Sequence, residues 1–435
     1  MKYDVIIIGG GTAGCSCAYN CAKLGLKTLL LEKETYLGGT MTGSLVIPVM
    51  KSGENQINTD FYNDLIKIMK SKNAQITYQN NPGWFNPLIL KDALKDMLVN
   101  SGADIIFEAD INKIITDNNK ITSLEISGIY LSVCSNSIYT DNTNIDNKIL
   151  SECIETVFVV DSTGDLNFSQ KMNCNFLENK NEYPPVSLRF IMSGIDLKAF
   201  SEWLLDTDSD RNVTSVEIVD GDIHLSSAYT WDSDKQWALA KYFDDAAVKN
   251  ILKDTDRNYF QIFTVAGMPD SIAFNCPRIL QSVNPYNKSD IENAYSIGKS
   301  MIERLAQFCK IYFPGFKNAY VSHIADKIGI RASKRLKGKY IYTIDDLRSG
   351  KKFAHPAVIS NYPVDIHSKD KNSSTLEMTG EYQLPIESLM SDDYDNLFTA
   401  GRGLSADEMA QGALRVQASC FSMGEAVAKY IKEIF

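Results

Sequence analysis

Residues 3–14 read Tyr3-Asp4-Val5-Ile6-Ile7-Ile8-Gly9-Gly10-Gly11-Thr12-Ala13-Gly14. The block Val5-Ile6-Ile7-Ile8 is short, apolar and β-branched, the pattern of a strand buried on both faces of a parallel sheet. Gly9, Gly11 and Gly14 then fall on the GxGxxG spacing. The first glycine permits a tight turn, the second lets a pyrophosphate approach the backbone, and the third lets the next helix lie against the strand. A helix opening near Thr12 turns its free N–H groups and positive dipole end toward that phosphate. Residues 27–31 read as a second strand, followed by Glu32. An acid at that distance accepts both hydroxyls of an adenosine ribose. The spacing alone is a weak signal, and a glycine-rich turn in an ordinary βαβ unit is the plain alternative. Strand, helix and acid, each in place, favour a dinucleotide site.

The remaining composition narrows the classes. A chain of 435 residues is long enough for two domains and a large core. Its 44 basic and 54 acidic side chains leave a net charge of −10, so neither nucleic acid nor an anionic membrane is the expected partner. No run of eighteen apolar residues occurs, so no membrane span is expected. The apolar N-terminal stretch reads as the nucleotide strand and not as a cleaved signal, so a cytoplasmic location is expected. The nine cysteines form no CxxC pair and are odd in number, which suggests reduced thiols. His224, His323, His355 and His367 show no metal-ligand spacing, so no metal is expected.

Beyond Glu32 the chain reads as alternating strands and helices. Residues 57–71 and 88–100 look helical, 103–108 reads as a third parallel strand, and 111–126 as a hairpin. Residues 135–148 are rich in Asn, Asp, Ser and Thr and read as an exposed loop. A buried strand at 156–160 ends in a second small-residue turn, Asp161-Ser162-Thr163-Gly164-Asp165. From about Tyr183 the texture becomes β-rich, interrupted by a long helix over 291–313. The strand 397–400 meets Gly401-Arg402-Gly403, and a helix of small residues over 412–434 closes the chain. The expected fold is therefore α/β: a Rossmann-like nucleotide-binding domain with a β-rich (α+β) substrate domain inserted in it. The expected division gives 1–180, 315–340 and 391–435 to the first and 181–314 and 341–390 to the second.

Further blocks complete a pattern: Gly38-Gly39, then Gly329-Ile330-Arg331-Ala332-Ser333-Lys334-Arg335 with Gly338, then Tyr362-Pro363-Val364-Asp365-Ile366-His367, then Ala400-Gly401-Arg402, then Gly412-Ala413-Leu414-Arg415-Val416. On these blocks the chain resembles the FAD-dependent oxidoreductases of the two-dinucleotide-binding-domain (glutathione-reductase-like) flavoprotein superfamily. The resemblance runs across nearly the whole chain and implies FAD as cofactor. It assigns Gly9, Gly11, Thr12, Ala13 and Gly14 to the pyrophosphate, and Glu32 with Lys33 to the adenosine ribose. Gly38, Gly39, Thr40, Met41 and Gly43 would run beside the ribityl chain and flavin ring. Ile111 would meet adenine, and Ser162, Thr163 and Gly164 would line the adenosine end. Gly401 and Arg402 would touch the pyrophosphate–ribityl region. A helix opening at Gly412, Ala413 and Leu414 would aim its positive end at the flavin N1–O2 edge. Two departures stand out: Leu166-Asn167 replaces a Gly-Asp pair of many relatives, and Glu408 replaces a histidine.

Flavin carries the redox step, and the protein supplies binding, orientation and a proton. His367, after the extended Tyr-Pro-Val-Asp segment, is the candidate acid or base, since its ordinary pKa suits proton transfer near neutrality. A structural histidine is the plain alternative. Arg331 is the candidate anchor for a carboxylate or ketone. Arg335, four residues on, would share its face on a helix but reads better as part of a solvated basic face with Lys334 and Lys337. The expected reaction is hydride transfer between a non-covalent flavin and a small organic substrate. The alternatives are a flavin monooxygenase or halogenase-like enzyme, and a non-catalytic electron-transfer subunit or redox sensor. No second strand–GxGxxG–helix unit is present, so an external electron donor or acceptor such as NAD(P)H, a reductase or a quinone is expected. Gly401-Arg402, where hydroxylases of the superfamily usually carry Gly-Asp, counts against the monooxygenase reading.

Overall fold

The computed structural model describes residues 1–131, 148–178, 183–229, 236–366, 374–376, 378 and 380–435. His367 lies outside the described residues, as does the expected loop at 135–148 apart from its last residue, Lys148.

The strand Lys2–Ile8 stands at the middle of the first sheet. It pairs in parallel with Thr28–Leu31 on one side, Ile7 opposite Leu30, and with Lys148–Asp161 on the other, Ile7 opposite Val160. Asp104–Asp117 continues the parallel sheet past Thr28–Leu31, and Leu397–Thr399 continues it past Lys148–Asp161. Alternate residues of the central strand serve two cores. Val5 and Ile7 share a core with residues of the helices Thr12–Lys23, Asp60–Ser71, Pro87–Ser101 and Gln417–Ile434. Ile6 and Ile8 pack with Leu124, Ile126 and Ile154. These come from an antiparallel ribbon in which Lys120–Leu131 pairs with both Asp104–Asp117 and Lys148–Asp161. A strand covered on both faces needs no polar alternation, hence the uninterrupted apolar block at residues 5–8.

The second sheet is antiparallel throughout, in the order Thr214–Val219, Asp222–Ala228, Gln261–Val265, Met268–Phe274, Phe190–Ser193, Tyr320–Ile324. It shares an aromatic core with the helices Leu197–Thr207, Ala240–Val248 and Lys288–Tyr312. Phe190 stacks on Phe274 at 4.2 Å between ring centroids, and Phe243 meets Phe308 at 4.4 Å. Leu45, Ile47, Ile76, Tyr78 and Trp84, all from the first hundred residues, also belong to this core. The molecule is thus mixed α/β. No helix among the described residues is long and apolar enough to cross a membrane.

Two expectations are corrected. The closing helix does not run unbroken from Gly412. A short helix, Glu408–Leu414, ends at Arg415, Val416 is extended (ψ 150°), and a second helix begins at Gln417. The break carries neither Gly nor Pro. Tertiary bonds on either side of it hold the two pieces: Arg415 reaches the Asp365 carboxylate at 3.3 Å, and Gln417 Nε2 donates to the Val46 carbonyl at 2.6 Å. Residues 331–335, in turn, are not helical, so Arg331 and Arg335 share no helix face. Arg335 is buried and donates to the carbonyls of Ala406 and Glu178, in place of the expected solvated basic face.

Candidate active site

A cleft of about 780 Å³ is walled by residues of both sheets. Gly9, Gly11, Thr12, Ala13, Glu32, Lys33, Gly39, Thr40, Ile111, Ser162, Thr163, Gly164, Arg331, Gly401 and Arg402 all line it. Gly9 has φ +100°, and a Cβ there would stand 2.6 Å from the Ser162 carbonyl oxygen, so only glycine makes the turn. At Gly11 a Cβ would meet nothing closer than 4.0 Å, which leaves open space over the start of the helix Thr12–Lys23. No side chain caps that helix start, so its first N–H groups are available to an anion.

Glu32 is buried, with Oε2 accepting from Gly10 N at 2.6 Å and Oε1 from Glu34 N at 2.9 Å. Burial raises its pKa, against these two bonds and the Lys327 ammonium. Each oxygen retains a further lone pair for a ribose hydroxyl. Ser162 Oγ is buried with no partner among the described residues, and so is Oε1 of Gln417, which also lines the cleft. Buried orphans of this kind are what a polar ligand satisfies. Arg402 borders the cleft but is tied down: Nε donates to Gly164 O at 3.0 Å, and the guanidinium meets Asp165 at 2.6 Å.

Other expected residues stand behind the lining. A Cβ on Gly14 would come within 1.9 Å of the Gly9 carbonyl oxygen, so Gly14 brings the helix onto the turn. Gly38, Met41 and Gly43 belong to the turn and short helix that carry Gly39 and Thr40 into the cleft. Gly412, Ala413 and Leu414 are buried away from the cleft, and the helix start that opens on it is that of Gln417–Ile434. Glu408 is also outside the lining, 3.6 Å from Arg335.

Several lining residues carry no signal in the sequence: Arg189, Tyr259, Gln261, Asn275 and Arg278. They come from the second sheet and its margins, and no local motif marks them. Arg278 lies over the Tyr259 ring at 4.2 Å, and the Tyr259 hydroxyl donates to Gln261 at 2.8 Å. Burial lowers the pKa of Arg189 to about 10. Burial also holds that of Arg331 well below its ordinary value, helped by the nearby Arg278, Arg415 and Arg189. Cys420 also faces the cleft, and burial lifts its thiol to about 12, so it stays protonated at neutral pH.

Uncapped helix start, glycine turn, buried acid and orphaned hydroxyl together fit a dinucleotide carrying an adenosine, and a polar chamber adjoins them. The architecture is that of a dinucleotide-dependent protein. The sequence places it further: residues 4–432 match the model of the FAD dependent oxidoreductase family, and the chain belongs to that family. Its cofactor is FAD. A D-amino acid dehydrogenase of Helicobacter pylori is 26% identical over 197 residues, 34% of this chain and 47% of the relative. The chain thus spans about half the length of the curated relatives it matches. A geranylgeranyl bacteriochlorophyll reductase-like structure from Thermoplasma acidophilum matches 99% of this chain and 78% of its own, at 14% identity and a TM-score of 0.45. A flavoprotein/dehydrogenase structure from Cytophaga hutchinsonii matches 99% and 79%, at 13% identity and a TM-score of 0.46.

Proposed function

We propose that the protein is a dehydrogenase or reductase moving hydride between a non-covalent FAD and a small organic substrate. In this reading the first sheet is a Rossmann-like FAD-binding domain of the glutathione-reductase-like type. The β-rich part around the second sheet, 181–314 together with the strand Tyr320–Ile324, is a substrate domain inserted in it. Of the described residues in 341–390, expected there from the sequence, Tyr342, Val358, Val364 and Leu384 pack instead in the core of the first sheet. The observation that carries the reading is the continuity of the cleft: the glycine turn at Gly9 and the guanidinium of Arg331 open on one chamber. Bound FAD supplies a centre that accepts or gives two electrons with a hydride.

Each residue then has a task. Gly9, Gly11 and the start of the helix Thr12–Lys23 hold the pyrophosphate, and Glu32 holds the ribose. The start of the helix Gln417–Ile434, rather than Gly412, supplies positive potential to the flavin edge where negative charge gathers. Arg331 orients the substrate through an acidic or carbonyl oxygen. His367 remains the proposed acid or base on its sequence context. Electrons leave to, or arrive from, a nicotinamide nucleotide, a reductase or a quinone.

The visible spectrum of the purified protein, before and after sulfite, tests this. Two flavin bands, released by acid and bleached quickly by sulfite, are the expected result, and a screen of acids and alcohols follows. Bands that resist sulfite would shift the reading to a monooxygenase or an electron-transfer subunit. A colourless protein that cannot be reconstituted with FAD would overturn it.

A further inference from the structure

The strongest unexplained feature of the cleft is its charge. Arg189, Arg278, Arg331 and Arg415 line it, brought together from four separate segments. Three of them converge on Ser187. Arg278 lies directly opposite Ser187 in an antiparallel ladder. Arg189 follows Ser187 by two residues, and its charge acts on Arg331. Arg331 donates to the Ser187 hydroxyl at 3.0 Å, two residues after Gly329, which bridges to Ser187 from the other flank. The backbone therefore brings three guanidiniums to the neighbourhood of Ser187, that of Arg331 directly onto its hydroxyl.

Two of these guanidiniums, Arg331 and Arg189, meet little negative charge among the described residues. Arg331 donates to the Pro185 carbonyl and the Ser187 hydroxyl, and Arg189 to the carbonyls of Leu45 and Ile47. All of these partners are neutral. Among the described lining residues, Glu34 pairs with Lys327 and Asp165 with Arg402, Glu32 is tied to the backbone, and Asp110 stands next to Ile111 in sequence, on the strand Asp104–Asp117 of the first sheet. Asp365 also lines the cleft; it meets Arg415, and its charge is felt by Arg331 and Arg278 as well, one carboxylate among four guanidiniums. Guanidiniums held out of bulk water, close to one another and bonded to neutral oxygens, are stabilised by an arriving anion. One carboxylate would leave the patch strongly positive.

We infer that the substrate is a small dianion in the sense of a molecule with two anionic groups, two carboxylates or a carboxylate and a phosphate, held by Arg331 and Arg189 beside Ser187 with Arg278 opposite. The inference rests on the reading of this chamber as a substrate site. It excludes neutral alcohols and simple monoacids as the preferred substrates. It also excludes the FAD pyrophosphate as the group these arginines serve, since that group has its own place at the start of the helix Thr12–Lys23.

The test is a titration of the FAD-loaded protein with succinate, glutarate, 3-phosphoglycerate and butyrate, followed by the shift of the flavin bands and by thermal shift. At least one of the three dianions should bind tenfold or more tighter than butyrate, and which one does so identifies the acidic groups. Arg331→Gln and Arg189→Gln should each weaken that dianion tenfold or more while FAD content stays unchanged. Butyrate binding as tightly as the dianions would overturn the inference, and so would a flavin spectrum that none of the four acids moves. Loss of FAD from the arginine variants, with acid binding kept in what remains, would assign the patch to the cofactor instead. A colourless protein defeats the functional reading itself, whereas a yellow one indifferent to dianions defeats only this step. The acid series on the unaltered protein decides between these outcomes even if the variants fold poorly.

Discussion

Asp161 shows how much one side chain can organise. It is fully buried at the end of the strand Lys148–Asp161. Its Oδ1 accepts from Thr163 N and Oγ1 at 3.0 and 2.7 Å, and its Oδ2 from Ser169 N and Oγ at 2.8 and 2.7 Å. The turn so fixed holds the Ser162 carbonyl beneath Gly9 and keeps Thr163 and Gly164 on the cleft. An amide cannot reproduce four acceptances. Asp161→Asn should turn an NH2 toward two donors and cost about 2–4 kcal/mol in denaturant unfolding. A loss below about 0.5 kcal/mol, the scale of a featureless surface change, would show that the turn is held by other means. One departure from the family pattern is also explained at this scale. Leu166 is left-handed (φ 55°), a conformation that costs a non-glycine residue about 1–2 kcal/mol. Its fully buried side chain packs against Gly403, where a Cβ would come within 2.6 Å of it. Burial of a leucine stabilises by about 2 kcal/mol and offsets the strain. The Leu166-Asn167 departure is therefore one of packing.

Between elements, the helices Thr12–Lys23 and Gln417–Ile434 approach closely. A Cβ on Gly424 would stand 2.2 Å from the Ala13 carbonyl oxygen and 2.9 Å from the Cys17 nitrogen, both backbone atoms that cannot swing aside. Gly424→Ala should push the last helix outward and carry the Gln417 end, with its bond to Val46, away from the cleft. The expected outcome is weaker FAD retention on gel filtration together with a lower melting temperature. Full retention with an unchanged melting temperature would mean that the helix pair yields without disturbing the site. Glycines at such a crossing leave only a composition of small residues in the sequence. That composition is legible as close packing. The split at Arg415 and Val416 is not, because the bonds that hold it reach residues 365 and 46. Conversely, the strand, turn, helix and acid of residues 5–32 are legible because neighbours along the chain fix them: φ freedom at Gly9, strand burial and the buried acid Glu32 all follow within one βαβ unit.

At the scale of the whole molecule, the arginine-lined end of the cleft is the part hidden from sequence. Arg189, Arg278 and Arg331 become neighbours only through strand pairing at Ser187. Arg331 stands out through its glycine-led block, whereas Arg189 and Arg278 need the ladder. The same long-range construction couples the two cores. Thr40 and Ser44 line the cleft, while Leu45 and Ile47, immediately after them, are buried in the aromatic core of the second sheet with Trp84 and Trp237. Trp203 packs against that core as well. Tryptophan emission therefore reports largely on the second sheet, and flavin emission on release of the cofactor from the first. FAD binds the folded state alone, so at a free concentration one hundred times its dissociation constant it should add about 2.7 kcal/mol of stability. If segment 40–47 transmits that gain, removing FAD should lower the tryptophan melting transition, and adding it back should restore the transition to coincidence with flavin release. A tryptophan transition indifferent to FAD would show that the second core melts on its own and that the cleft is a contact between independent halves. Coincident transitions would make the cofactor part of the structure that positions the arginine patch, so that substrate affinity and cofactor loading rise and fall together.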